Sequence, residues 1–216
     1  MANVTVGHLV DMAYEILMDD SEDPQHWTKE NLVNWYNLGA RETVVLAPEA
    51  NPVFESMILA AGVKQSIPAN RIGLIDVIRN MGADGNTAGA GINRTDVGIL
   101  TAYDRSWITA TAGTTIKNWA PQSLTTFYVS PPSDGTTYVE IKASAVPTVV
   151  VYDTAGAWES ALVGVAEKYV NAVFNWMLHR AYQKDGDYPG NDSRSRDFFN
   201  QFLLACGVTP AMLKGK

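Results

Sequence analysis

The stretch 165–185, VAEKYVNAVFNWMLHRAYQKD, constrains this chain more than any other. Laid out as a helix, it places Val165, Ala166, Tyr169, Val170, Val173, Phe174, Trp176, Met177, Leu178 and Ala181 around most of its circumference. Only a narrow polar stripe of Glu167, Lys168, Asn171, Asn175 and His179 is left. A surface helix has one apolar stripe and a broad polar face. This one needs cover on at least two sides, so it is expected at the centre of a bundle or in a subunit interface. Phe174, Trp176 and Met177 are its candidate interface side chains. The helix is expected to start just after Gly164 and to stop at Lys184, with Gly186 as cap and Pro189 beyond.

Helical signals also occupy both chain ends. Residues 6–18 put Leu9, Met12, Ala13, Ile16 and Leu17 on one face, with Thr5 as N-cap. After the polar loop 19–26, Thr28 caps a second helix over 29–46, and Trp27 is placed to staple against Leu32. A last helix opens at Asn191 or Asp192 and runs to Cys206, with Phe198, Phe199, Phe202 and Leu203 on its apolar face and Gly207 as cap.

Between these ends the pattern changes at Asn51-Pro52 to short strands and turns. VFESMILAAGVKQSIP reads as a hairpin turning near Ala61-Gly62, LIDVIRN (74–80) as a strand, and GADGNTAGAG (82–91) as a loop. Asp96–Tyr103 fits a short helix capped by Thr95. TTIKNWA, LTTFYVSPP and TYVEIKASAVP follow as strands, the last two expected to pair through the turn SPPSDG. In the last, Val139, Ile141 and Ala143 alternate inward against Glu140, Lys142 and Ser144. The expected fold class is α+β: a helical bundle built from both chain ends, with a β-rich insertion in the middle. The expected domains are helical 1–51, β-rich 52–152, and helical 153–216, the last packing with the first and ending in a tail.

Chemistry-bearing patterns are sparse. His8, His26 and His179 lie far apart, none in HExxH spacing, so no metal site is expected. Cys206, the single cysteine, rules out an internal disulfide and reads as a buried small hydrophobe. Gly89-Ala90-Gly91 begins a dinucleotide fingerprint, but Arg94 stands where its third glycine belongs. The acidic group at 185–192 fails as an EF-hand, with Pro189 at the fifth position and Arg196 at the twelfth. No catalytic residue, cofactor or metal is therefore expected. Tyr103, Trp107, Trp119, Phe127, Tyr128 and Tyr138 offer a possible sugar-binding surface, against the simpler reading of core and strand-pair packing. A formal net charge of −7 argues against a protein that grips nucleic acid through its phosphates. No apolar run reaches the roughly 18–20 residues that cross a bilayer, and residues 1–20 lack the pattern of a signal peptide.

Six stretches carry a resemblance. WTKENLVNWYNLGARETVVLAPEAN, LAAGVKQSIPAN, LIDVIRNMGADG, FYVSPP, VEIKASAVP and HRAYQKDGDYPGN, in this order and spacing, resemble the head-to-tail adaptor (connector) proteins of tailed bacteriophages. The resemblance runs from about residue 8 to 205, with Val163-Gly164 where such proteins tend to have Leu-Pro before the central helix. It implies a structural virion protein without enzymatic activity, made in the host bacterial cytoplasm and residing at the head–tail junction. It further implies a homo-oligomeric ring, usually of twelve copies, beneath the portal protein and above the tail tube or nozzle protein. DNA would pass through the ring without sequence-specific binding. In that setting Met212 and Leu213, within the tail VTPAMLKGK, become candidate anchors that dock into the portal. The alternatives are a tail-tube or nozzle protein, a carbohydrate-binding tail component, and a hydrolase with an unrecognised site.

Overall fold

The computed structural model describes residues 4–19, 26–185 and 189–209. Its contacts divide the chain into two compact units, one made of Met1–Asn51 with Pro147–Lys216, the other of Pro52–Val146.

The first unit holds helices α1 (Val6–Leu17), α2 (Lys29–Leu46), α4 (Val170–Lys184) and α5 (Asn191–Ala205). Thr5 and Thr28 cap α1 and α2, accepting hydrogen bonds from the His8 and Asn31 amides at 3.2 Å each. Gly190, with φ +95°, leads into α5, and Gly207, with φ +80°, ends it. Trp27 is buried and joins the helices by donating from Nε1 to the Ala181 carbonyl of α4 at 3.0 Å. The buried face of α1 is rotated from the expected one. Val10 and Tyr14 are enclosed, Met12 is half-buried, and Ile16 is 43% exposed. The Tyr14 hydroxyl donates to the Trp27 carbonyl at 2.7 Å, and burial pushes its pKa up to about 12.

Two expectations are corrected here. The central helix begins at Val170, not after Gly164; a 3₁₀ turn at Glu167–Tyr169 precedes it. The amides ahead of it are engaged elsewhere: Gly164 N–H donates to the Tyr36 hydroxyl at 2.8 Å and Ala166 N–H to the Ala50 carbonyl at 2.7 Å. Nor is the fold a helical bundle of the two chain ends with an insertion. There are five helices and two sheets among the described residues, and α3 (Val97–Tyr103), the short helix expected there, lies in the middle segment. The start of α1 lies against the 3₁₀ turn Ala157–Ser160 and the extended residues that follow it. Val6 N–H donates to Ala161 O at 2.8 Å, Thr5 forms a bridge with Leu162, and Val163 N–H donates to Val4 O at 3.1 Å. Gly7 makes this approach possible, since a Cβ there would stand 2.7 Å from the Glu159 carbonyl oxygen. Only the broad mixed α and β character survives.

The second unit has two four-stranded sheets. One has the order β1 (Pro52–Ile58), β8 (Tyr138–Ala145), β3 (Arg71–Met81), β4 (Ala88–Gly91). The other has β2 (Gly62–Ser66), β7 (Thr126–Ser133), β6 (Asn118–Pro121), β5 (Asn93–Arg94). Neither expected hairpin forms. β1 pairs with β8 and β2 with β7, so the turn at 59–61 and the turn SPPSDG each carry the chain from one sheet to the other. The Gln65 side chain holds the first of these corners, accepting from Ala60 N–H and donating to Ala60 C=O, both at 2.8 Å. The supposed loop 82–91 ends as strand β4 returning along β3. Asp96, not Thr95, caps α3, accepting from the Gly98 amide at 2.7 Å.

Side chains from both sheets fill one core: Val77, Val139, Ile141 and Ala143 from the first, Trp119, Phe127 and Val129 from the second. Each large apolar side chain so enclosed contributes about 1.5–3 kcal/mol. The inward alternation expected of Val139, Ile141 and Ala143 is present, all three at 0% exposure, but Ser144 is also buried, donating to Gly73 O at 3.2 Å.

Candidate assembly surface

Amide side chains fix the irregular segments that carry exposed apolar groups. In the first unit, the Asn37 carboxamide of α2 donates from Nδ2 to Val150 C=O at 2.8 Å and accepts Val150 N–H on Oδ1 at 2.9 Å. It thereby stands in for a strand neighbour. Held this way, the chain leaves Val149 and Val151 66% and 73% exposed. Three consecutive valines favour β pairing, and two of them lie open to solvent outside any strand. Sequence reading passed over this segment because it followed the last strand and preceded the central helix; the signal was the valine run itself.

The candidate interface residues on α4 are placed unequally. Met177 is fully enclosed by its own chain, whereas Phe174 and Trp176 are half-buried. Trp176 packs edge-on to Phe202 of α5 at 5.0 Å between ring centroids, with Phe199 at 6.3 Å and His179 at 5.6 Å. On its other side it lies against Gly39 of α2, where a Cβ would come within 2.9 Å of Trp176 Cδ1. Met212 and Leu213 lie outside the described residues.

The histidines do not converge on a site. His179 Nδ1 lies 3.0 Å from Ser195 C=O and 2.9 Å from Ser195 Oγ, and that hydroxyl donates back to His179 C=O at 3.2 Å. The network assigns the ring proton to Nδ1, and desolvation lowers its pKa from the ordinary 6.5, with the Arg180 charge adding to the effect. Cys206 is buried, and its thiol is pushed up to about 11. Among the described residues, no group of three or more His, Cys, Asp or Glu side chains is placed to hold a metal ion.

The β-region aromatics split in two. Trp107, Trp119 and Phe127 are core residues, 3%, 1% and 0% exposed, which removes their faces from any sugar platform. Tyr128 and Tyr138 are half-buried, and Tyr103 at the end of α3 is 92% exposed. Tyr103 and Ile99 rim an open cleft of about 370 Å³ that also touches Trp107, Asn118 and Ser130. No helix among the described residues is long and apolar enough to cross a membrane.

No curated protein matches this chain. The family model for the SU10 adaptor protein matches residues 4–208, almost the whole sequence and both structural units. With its exposed apolar segments and its six adaptor-like stretches, the chain belongs to the SU10 adaptor protein family and is a structural adaptor of the phage head-to-tail kind.

Proposed function

We propose that copies of this chain form a ring, twelve by resemblance, beneath the phage portal and above the tail tube or nozzle, so that the DNA channel continues through it. The observation that carries this reading is the adaptor family match along residues 4–208. Two features support it. Val149 and Val151 present apolar surface that a neighbouring subunit would cover. The net charge of −7 suits a conduit through which DNA slides, because tight phosphate contacts would retard passage. In this reading the two compact units act as separate domains, Phe174 and Trp176 lie near subunit contacts, and Met212 with Leu213 anchors in the portal. The protein is made in the host cytoplasm and ends in the virion neck.

Mixing the purified protein with its portal and imaging the product by electron microscopy tests this. A closed ring seated on the portal is expected. A protein that stays monomeric beside the portal and is absent from the virion neck would refute the reading. A location farther along the tail would favour the tail-tube or nozzle alternative.

A further inference from the structure

The cleft beside α3 brings unpaired hydrogen-bonding groups together with an uncovered aromatic ring. On β6 and β7, Asn118 stands opposite Ser130, Trp119 opposite Val129 and Ala120 opposite Tyr128. Side chains alternate across a strand, so the first and third pairs lie on the outer face of the second sheet, while Trp119 and Val129 enter the core. Leu100 of α3 and Trp107 cover that outer face at Ala120 and Tyr128. At Asn118 and Ser130 the cover gives way to the cleft of about 370 Å³, a volume within the range of small-molecule sites. Its wall is fixed without a ligand: Trp107 lies edge-on to Tyr128, with ring centroids 5.9 Å apart, and donates from Nε1 to Thr101 Oγ1 at 3.2 Å.

The lining selects among ligand classes. The Asn118 carboxamide and the Thr95 and Ser130 hydroxyls, on half-buried residues, have no hydrogen-bond partner among the described residues. Ser106 donates its amide and its hydroxyl to Asp104 Oδ1, at 2.8 and 2.5 Å, which leaves Oδ2 open. Tyr103 on the rim is 92% exposed, and Ile99, one turn before it, 55%. The charged residue in the lining is Asp104, an acid with no cation beside it there, so a phosphate or carboxylate ligand would be repelled. β6 and β7 each have strand neighbours on both sides, so an extended peptide finds no edge to pair with. A floor of amide and hydroxyl groups does not suit the apolar face of a helix. A neutral ligand rich in hydroxyls, with one flat apolar face, matches every part of the lining, and a sugar ring has both properties.

We infer that this cleft binds a neutral saccharide, Tyr103 stacking on the apolar face of one sugar ring while Thr95, Asp104, Asn118 and Ser130 hydrogen-bond its hydroxyls. The site lies within one copy of the chain and does not depend on the ring reading.

The full chain, labelled with ¹⁵N, is titrated at millimolar concentrations with maltotriose, chitotriose and a galactose trisaccharide, and with sialyllactose as the anionic control. At least one neutral sugar should shift the Trp107 indole N–H signal in a saturable way, and sialyllactose should not. Maltotriose as the ligand would indicate a cytoplasmic glucan, and chitotriose a glycan of the cell-wall type. Tyr103→Ala and Asn118→Ala should each weaken the binding about tenfold, through the lost stacking and the lost hydrogen bonds, with the thermal midpoint of Tyr103→Ala unchanged because its ring is open to solvent. Ser130→Ala repeats the test on the neighbouring strand should Asn118→Ala fail to fold. Three results would overturn the site: no shift with any neutral sugar, affinity unchanged in Tyr103→Ala, or sialyllactose bound as tightly as the neutral sugars.

Discussion

The Asn80 carboxamide holds both polar groups of Ile116: Oδ1 accepts Ile116 N–H and Nδ2 donates to Ile116 C=O, each at 2.7 Å. Nδ2 also reaches Ala90 C=O at 3.0 Å. One buried side chain on β3 thus fastens the strand that returns beside it and the segment leading into β6. Asn37 on Val150 and Gln65 on Ala60 repeat the device. In each case an amide side chain satisfies a backbone residue that has no strand neighbour.

Asn80→Ala should therefore be strongly destabilising. Asn80 is 6% exposed, and its removal strands one backbone N–H and two carbonyls. A loss of about 3 kcal/mol is expected, since each buried group left unpaired costs about 1–3 kcal/mol and water will recover part of it. Asn80→Asp should be worse above pH 5, because a carboxylate oxygen would replace the donor facing two carbonyls. Urea unfolding followed by tryptophan fluorescence measures both. Equal midpoints for wild type and Asn80→Ala would show that the bonds contribute nothing.

Gly39→Ala sets two effects against each other. Alanine improves an interior helix position by about 1 kcal/mol. Against this, its Cβ would press within 2.9 Å of Trp176 Cδ1 and 3.1 Å of Trp176 Cβ, and overpacking costs about 1–3 kcal/mol. The tryptophan is wedged against Phe202, so the steric cost should win and the thermal midpoint should fall. A midpoint that rises would mean α2 and α4 separate easily.

Trp176→Ala removes the same contact from the other side. Because the ring is half-buried, the loss should lie near the lower end of the range for buried aromatic truncations, about 3 kcal/mol. Calorimetry would detect it, and an unchanged midpoint would place Trp176 outside the packing of α4 on α5.

Burial of His179 should make stability depend on pH, because desolvation outweighs the hydrogen bond to Ser195, which acts in the opposite sense. The folded state holds the ring below its ordinary value of 6.5, so folding favours the neutral form. The stability it contributes is fully present above pH 6.5 and is lost as pH falls through the lower, folded value. Thermal midpoints taken from about pH 7 down to about pH 5 should therefore drop more steeply for wild type than for His179→Gln. Parallel curves would show that this histidine is not responsible.

Cys206 should resist thiol reagents in the folded protein. Burial both excludes the reagent and pushes the thiol to about 11, leaving little thiolate near neutrality. Reaction with a chromogenic disulfide at pH 8 should be on the order of 100-fold slower than in denaturant, given the loss of thiolate and of access. Comparable rates in the two conditions would place the thiol at the surface.

Local signals were legible in the sequence. The caps Thr5 and Thr28, the span of α2, the end of α5 at Gly207 and the inward alternation of β8 are each written within a few residues, because capping and side-chain period act over one or two turns. The adaptor resemblance was legible too, spread along nearly the whole chain. Strand pairing was not. The sequence around 58–62 and 131–135 has the turn residues of a hairpin, yet each turn crosses between sheets, because burying Trp119 and Phe127 against Val139 and Ile141 needs both sheets to face one core. The start of α4 was likewise decided at a distance, by Tyr36 and Ala50 taking the amides of Gly164 and Ala166. Nothing near Gly164 encodes that competition: those hydrogen bonds exist only once segments more than a hundred residues apart have met.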